Sequence, residues 1–244
     1  MKIDELKEIL ARKGIDFAVF YNSDSTRHNA NMLYFSGYDG LGALVVPSRK
    51  PDFLAVPQME FQRAKKSMVK KIYSMEKKRF FESIYKIAKK QGLKSKNIAI
   101  DKNSLTLNSY KHFKKQFKAI KAKDIAPECM KLREIKTEKE TAAIKKSCAY
   151  ADKILQKLIR NFRDFRTESE AAAFLEHEAR KIGLETAFNP IVASGSNSSI
   201  PHHTPSNVKN KNGFCVIDFG VRYKGYCSDI SRTIHIGNPG KREK

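Results

Sequence analysis

The sequence predicts an α/β domain followed by an α+β domain, and two observations carry that reading. Short apolar strands alternate with amphipathic helices across residues 1 to 125, the order that builds a sheet layered with helices. From residue 126 onward, two long helices opened by capping patterns lead into paired β-prone segments, the order of helices packed on one side of an antiparallel sheet.

The first domain begins with a helix over residues 3 to 13, where Ile3, Leu6, Ile9 and Leu10 share a side and Gly14 ends the run. Phe17 to Tyr21 reads as a strand, 22 to 30 as a polar loop, Asn31 to Phe35 as a second strand and Gly37 to Gly42 as a turn. Ala43 to Val46 and Asp52 to Val56 alternate as strands joined through Pro47-Ser48-Arg49-Lys50-Pro51. Helices are predicted over 58 to 66, over 79 to 90 with Gly92 closing it, and over 107 to 116, with a short strand at 97 to 101 and a strand-like end at 117 to 120. Asp16 and the cluster Asp24, Arg27 and His28 read as ordinary loop polarity.

The domain boundary is placed at 125/126, beside Ala126-Pro127. Thr137-Glu138-Lys139-Glu140 is a capping box that opens a helix to about Phe162, with Ile144, Cys148, Ala151, Leu155, Leu158 and Phe162 as its apolar stripe. Thr167-Glu168-Ser169-Glu170 repeats the pattern before a helix through Ile182 that Gly183 terminates. His177 with Glu176 and Glu178 on that helix reads as surface chemistry. Asn189 to Asn207 is rich in Gly, Ser and Pro without helical period, as a binding loop is.

Near the C-terminus, Phe214 to Phe219 and Tyr226 to Ile236 form a predicted hairpin around Arg222-Tyr223-Lys224-Gly225. Centring it between Tyr223 and Lys224 places Asp218 directly opposite Asp229. Val216, Gly220, Cys227 and Ser231 then share the aspartate face, and Ile217, Phe219, Val221, Tyr226 and Ile230 share the other. Directly opposed positions have Cβ atoms about 4.5 to 5.5 Å apart, where like charges destabilise a hairpin unless a cation lies between them. Carboxylate oxygens suit a divalent ion. A solvated face with two scattered acids is the alternative that spacing alone leaves open.

The segments SGSNSSIPHHTPS (194 to 206) and NGFCVIDFGVRYKGYCSDISRTIHIG (212 to 237) resemble the Xaa-Pro dipeptidase and aminopeptidase family of the creatinase and methionine-aminopeptidase superfamily. The likeness extends upstream to Arg133-Glu134-Ile135-Lys136-Thr137-Glu138-Lys139-Glu140 and to Asn31-Met32-Leu33-Tyr34-Phe35-Ser36-Gly37-Tyr38. The resemblance implies a creatinase/prolidase-like α/β N-terminal domain (1 to 125) and an α+β pita-bread metallopeptidase domain (126 to 244). It implies metal ligation by Asp218 and Asp229, and substrate binding or proton handling by His202. His203 stands at a variable position of the motif, and adjacent residues in extended backbone point to opposite sides, so the two histidines are poor joint chelators.

In that family two divalent ions (Mn, Co, Zn or Fe) activate a water for attack on the carbonyl of the bond preceding proline. Three further ligands, one His and two Glu, come from motifs downstream of this hairpin. After Asp229 this sequence offers His235 and Glu243, neither in such a motif. The pita-bread domain is therefore expected to be incomplete and inactive alone, with a C-terminal complementing chain as one way to finish it. A homodimer and a proline-containing peptide substrate are further implications.

Composition bounds the alternatives. Of 244 residues 41% are hydrophobic, enough to bury a core in each of two domains. No apolar run approaches the roughly 18 residues of a membrane span, and the N-terminus lacks a signal-peptide core, so a cytoplasmic protein without membrane partners is expected. Cys129, Cys148, Cys215 and Cys227 show no chelating spacing and are expected as thiols, with Cys227 a small filler beside Asp229. The net charge is +22, of which residues 1 to 125 carry +15. Clusters at Lys65-Lys66, Lys70-Lys71, Lys77-Lys78-Arg79, Lys89-Lys90 and Lys111 to Lys121 could meet nucleic-acid phosphates. A solvated lysine face is the simpler account of the same charge.

Overall fold

The computed structural model describes residues 2–23, 29–75, 80–118 and 122–241. Asp24, Arg27, His28, Lys77, Lys78, Arg79, Lys121 and Glu243, and the end of the strand expected at 117 to 120, lie outside the described residues. Two compact units divide at Ile135/Lys136.

In the first unit, α1 (Lys2–Arg12) leads into β1 (Phe17–Asn22) and α2 (Ala30–Ser36), followed by β2 (Gly42–Pro47), β3 (Phe53–Pro57), α3 (Phe61–Ala64) and β4 (Lys71–Met75). Then come α4 (Phe80–Lys90), β5 (Ile98–Ile100), α5 (Leu107–Phe117), β6 (Lys123–Asp124) and α6 (Ala126–Glu134). The six strands form one sheet in the order β4-β3-β2-β1-β5-β6, with β1 antiparallel to β2 and parallel to β5. Alternation sorts each strand's side chains onto two cores. Ala18, Phe20, Leu44, Val46 and Leu54 join Leu6 and Leu10 of α1, Met32 and Phe35 of α2 and Cys129 of α6. Phe17, Val19, Val45, Phe53 and Ile98 join Phe81 and Ile84 of α4 and Phe113 and Phe117 of α5.

Asn31 to Phe35 is helical, not the strand expected from its aromatic and apolar content. Asn29 caps α2 by accepting from the Met32 amide, and Gly37 ends it in the left-handed region at φ 67°, so capping outweighs β propensity over seven residues. The helix expected over 58 to 66 is a 3-10 turn, Gln58–Glu60, running into the short α3. The strand β4 and the helix α6 have no counterpart in the sequence reading. The division falls after α6 rather than before it, because Cys129 and Leu132 of α6 lie in the first unit's core.

The second unit begins with α7 (Glu138–Arg160) and α8 (Glu168–Lys181), each opened by the capping box read from sequence, at Thr137/Glu140 and Thr167/Glu170. Six strands follow: β7 (Glu185–Thr186), β8 (Ile191–Ser194), β9 (Gly213–Phe219), β10 (Val221–Tyr223), β11 (Tyr226–Cys227) and β12 (Ile230–Ile236). They form two three-stranded sheets, β12-β9-β8 and β11-β10-β7. Ile154, Leu155 and Leu158 of α7 and Leu175 of α8 pack on Val192, Cys215, Ile217, Phe219 and Val221. The stripe predicted for α7 holds from Ala151 onward, but before it Ala143 and Ser147 are buried and Cys148 is exposed. Ser147 is buried because its hydroxyl donates to the Val221 carbonyl at 2.8 Å. All four cysteines are free, and among the described residues no helix is long and apolar enough to cross a membrane.

Phe113 is fully buried and contacts both Phe81 and Phe117. Phe113→Ala is expected to destabilise the first unit by about 3–5 kcal/mol. Urea unfolding followed by hydrogen exchange should show that loss in residues 2 to 135 and leave the α7 and α8 amides unchanged.

Candidate metal centre and its binding loop

The turn that organises the hairpin is Lys224-Gly225, with φ of 51° and 85°, the left-handed pair that a two-residue hairpin loop needs. It pairs Tyr223 with Tyr226 and Arg222 with Cys227, and the same register brings Ser231 opposite Asp218. The expected register is thereby corrected by two residues. Asp218 and Asp229 are diagonal neighbours on one face rather than directly opposed. Because the correction is even, every residue keeps its predicted face: Ile217, Phe219, Val221 and Ile230 pack toward the helices, while Asp218 faces away from them.

Gly220 and Ser228 explain the diagonal. The Val221 amide donates to Ser228 Oγ at 3.0 Å, and the Ser228 amide donates to the Val221 carbonyl. A Cβ at Gly220 would overlap the Ser228 carbonyl oxygen, so glycine alone allows this approach. The ladder is interrupted at that point, and the hairpin passes from one sheet to the other there.

The Asp218 carboxylate accepts from Ser231 Oγ at 2.9 Å. Burial, the Asp218 charge and a hydrogen bond from the Asp229 carboxyl to Asp218 together raise the Asp229 pKa above the ordinary aspartate value. Two carboxyls this close to one another mark a place where positive charge is favoured. Their oxygen donors fit a hard divalent ion, as part of a coordination shell. Among the described residues no group of three or more His, Cys, Asp or Glu comes together for a metal, so this pair has no third protein ligand beside it. Cys227 is exposed, opposite Arg222.

His202 lies in the segment between β8 and β9, exposed and with φ 55°, an uncommon conformation for a side chain with a Cβ. The order of this segment derives from Glu168, the first residue of α8, whose side chain is 1% exposed. Its Oε1 accepts from the Ser194 amide (2.7 Å), Ser194 Oγ (2.9 Å) and Asn197 Nδ2 (2.9 Å). Its Oε2 accepts from His203 Nε2 (2.8 Å), the Ser206 amide (3.1 Å) and Ser206 Oγ (2.9 Å). An ionised carboxylate only accepts, so His203 Nε2 carries the proton. Ser169 adds two further ties, its amide to the Ser206 carbonyl and its hydroxyl to that of Pro205.

Sequence reasoning took Glu168 as part of a capping pattern and His203 as a variable neighbour of His202. Both instead hold the loop. The available signal was the density of Ser and Asn hydroxyl and amide donors in SGSNSS and at Ser206, which need a common acceptor if they are ordered. Glu178 likewise proves buried, bridging Lys157 at 2.6 Å and Lys181 at 3.5 Å, while His177 beside it is exposed.

Burial alone would raise the Glu168 pKa, but donors from Ser194, Asn197, His203 and Ser206 outweigh it and bring it to about 2. The stabilisation is therefore complete above about pH 4.5 and is lost as pH falls through about 2. The difference corresponds to on the order of 3 kcal/mol. Glu168→Gln should abolish this acid limb in urea titrations of the second unit. At pH 7 it should cost about 1–3 kcal/mol, because its amide nitrogen would face other donors.

With this geometry in view, known proteins supply the family. Residues 2–135 match the creatinase/prolidase N-terminal domain and residues 142–244 match metallopeptidase family M24. An uncharacterised peptidase of Staphylococcus epidermidis is 32% identical over 98% of this chain and 67% of its own length. A Xaa-Pro dipeptidase of Pyrococcus horikoshii is 31% identical over 100% of this chain and 66% of its own. The crystal structure of the prolidase from Pyrococcus horikoshii superposes with a TM-score of 0.85 at 29% identity, over 99% of this chain and 67% of that one. The chain thus spans about two thirds of the length of these relatives. It belongs to metallopeptidase family M24, with a creatinase/prolidase N-terminal domain preceding the metallopeptidase segment.

Proposed function

We propose that this chain is the N-terminal portion of a metal-dependent Xaa-Pro peptidase, in which Asp218 and Asp229 are two carboxylate ligands of a divalent-metal centre and His202 binds or protonates the peptide. One observation carries the reading: the two carboxyls are neighbours across the hairpin on the face turned away from α7 and α8, close enough that the Asp218 charge acts on Asp229. The names of the relatives, Xaa-Pro dipeptidase and prolidase, supply the substrate class.

When bound, divalent ions such as Mn, Co, Zn or Fe supply Lewis-acid polarisation of a peptide carbonyl and activation of water. Ser231 holds Asp218 in place by donating to its Oδ1. Glu168 fixes the backbone on both sides of His202, through Ser194 and Asn197 before it and His203 and Ser206 after it. His202, exposed at the middle of that strap, is left to meet a substrate backbone.

Two carboxylates provide at most four oxygens, so further ligands come from sequence beyond the hairpin or from a complementing chain. We accordingly propose that the 244 residues alone bind Mn or Co weakly and do not hydrolyse Ala-Pro. Asp218→Ala should lower Mn affinity about tenfold or more in calorimetric titration, a change of about 1.4 kcal/mol. Ser231→Ala should lower it about tenfold by freeing the Asp218 carboxylate. Hydrolysis of Ala-Pro by the chain purified free of host peptidases, or Mn affinity unaltered by Asp218→Ala, overturns this reading.

A further inference from the structure

The charge excess of the first unit is concentrated on one layer of it, and the peptidase chemistry does not use it. Residues 80 to 118 contain ten lysines and two carboxylates. All ten lysines are exposed. Of the two acids, Glu82 pairs with Lys86 at 2.7 Å. Asp101 is buried, where it accepts from Asn31 and Ser104. From other elements, Asp16 accepts from the Lys96 and Asn97 amides and Asp124 from the Lys102 amide. The layer formed by α4, α5 and the segment joining α4 to β5 therefore presents an excess of ammonium groups to solvent.

Part of this charge has a local explanation. Lys89, Lys90, Lys114 and Lys115 stand in the last turns of α4 and α5, where cations answer the helix dipole. Lys94, Lys96 and Lys111 have no such role. Lys111 and Lys115, four apart on α5, repel one another by a few tenths of a kcal/mol, a cost that a bound polyanion would remove.

Two features add shape to the charge. A cavity of about 310 Å³ is lined by Tyr85, Ala88 and Leu93 together with Lys89, Lys94 and Lys96, and the Tyr85 ring lies 5.4 Å from Phe117 at the end of α5. The Tyr110 ring on α5 is approached by Lys102 at 5.2 Å and Lys114 at 5.8 Å. An apolar recess rimmed by lysines, beside a row of lysines and an aromatic ring, matches the combination that holds a single strand through its phosphates and a base face.

We propose that this layer is a binding surface for single-stranded nucleic acid, with Lys111, Lys114 and Lys115 on the phosphates and the Tyr85 recess taking a base among Lys89, Lys94 and Lys96. An acidic protein is a poorer occupant, because protein interfaces are depleted of lysine and built on apolar anchors. Leu107 is the exposed large hydrophobic residue that this layer offers. A membrane is disfavoured by the same shortage of apolar residues to insert.

The test is fluorescence anisotropy of labelled 20-mers, dT20 and U20, with the full chain between 50 and 200 mM KCl. The unaltered protein should bind with a steep salt dependence. Lys111→Gln/Lys114→Gln/Lys115→Gln should reduce affinity at least about tenfold and flatten the salt slope by about 2, at roughly 0.7 per lost phosphate contact on single strands. Lys89→Gln/Lys94→Gln/Lys96→Gln should do the same. The control Lys139→Gln/Lys145→Gln/Lys153→Gln on α7 should bind as the unaltered chain does, and far-ultraviolet melting should show all variants folded. No binding of either strand at 50 mM KCl overturns the proposal, as does an equal loss in the α7 control. Displacement by polyglutamate at matched charge assigns the layer to acidic polypeptides instead, and tighter binding to phosphatidylserine vesicles than to either strand assigns it to membranes.

Discussion

A single buried carboxylate determines how the loop of the second unit is arranged. The loop from Ser194 to Ser206 has little apolar surface of its own to bury, and Ile200 at its centre is exposed. Hydrophobic packing therefore cannot order it. Glu168 replaces a core with charge: both of its oxygens are saturated by hydroxyl, amide and imidazole donors drawn from the two ends of the loop. Burying an ion is costly unless such donors surround it, and here the same donors that stabilise the ion fix the path of the chain. The position of His202 follows from an interaction in which His202 takes no part.

Elements whose signal is local were legible from sequence. The capping boxes at Thr137 and Thr167, the parity of the hairpin and the strands around Val19 and Val45 depend on residues within a few positions of one another. What was missed depends on caps that compete with propensity, on an even shift of register, or on long-range pairing. The helix at Ala30–Ser36 is decided by its caps, Asn29 and Gly37, although its aromatic and apolar content suits a strand. The exact register depends on whether the turn is centred before or after Lys224, a shift that hydrophobic alternation cannot detect when it is even. Glu168 carries no mark of burial in its neighbours Thr167, Ser169 and Glu170, since its donors lie 26 to 38 residues away.

The two units distribute their labour unequally along the chain. In the first, alternation feeds two cores on opposite faces of a six-stranded sheet, and its inner strands β1, β2 and β3 are buried on both sides. In the second, the helices cover one face of the sheets, and the other carries Asp218, Val216 and Thr233 without a covering helix among the described residues. The two carboxylates proposed as metal ligands, Asp218 and Asp229, belong to that uncovered side.

The break at Gly220 also decides what the aspartate pair can tolerate. Asp218 stands two residues before it on β9, and Asp229 lies between Ser228 and Ile230, the first residue of β12. The Ser228 carbonyl fills the space that a side chain at Gly220 would need. Any larger residue there would push away the stretch of chain that carries Asp229, so the spacing of the two carboxyls is set by a position that has no side chain at all.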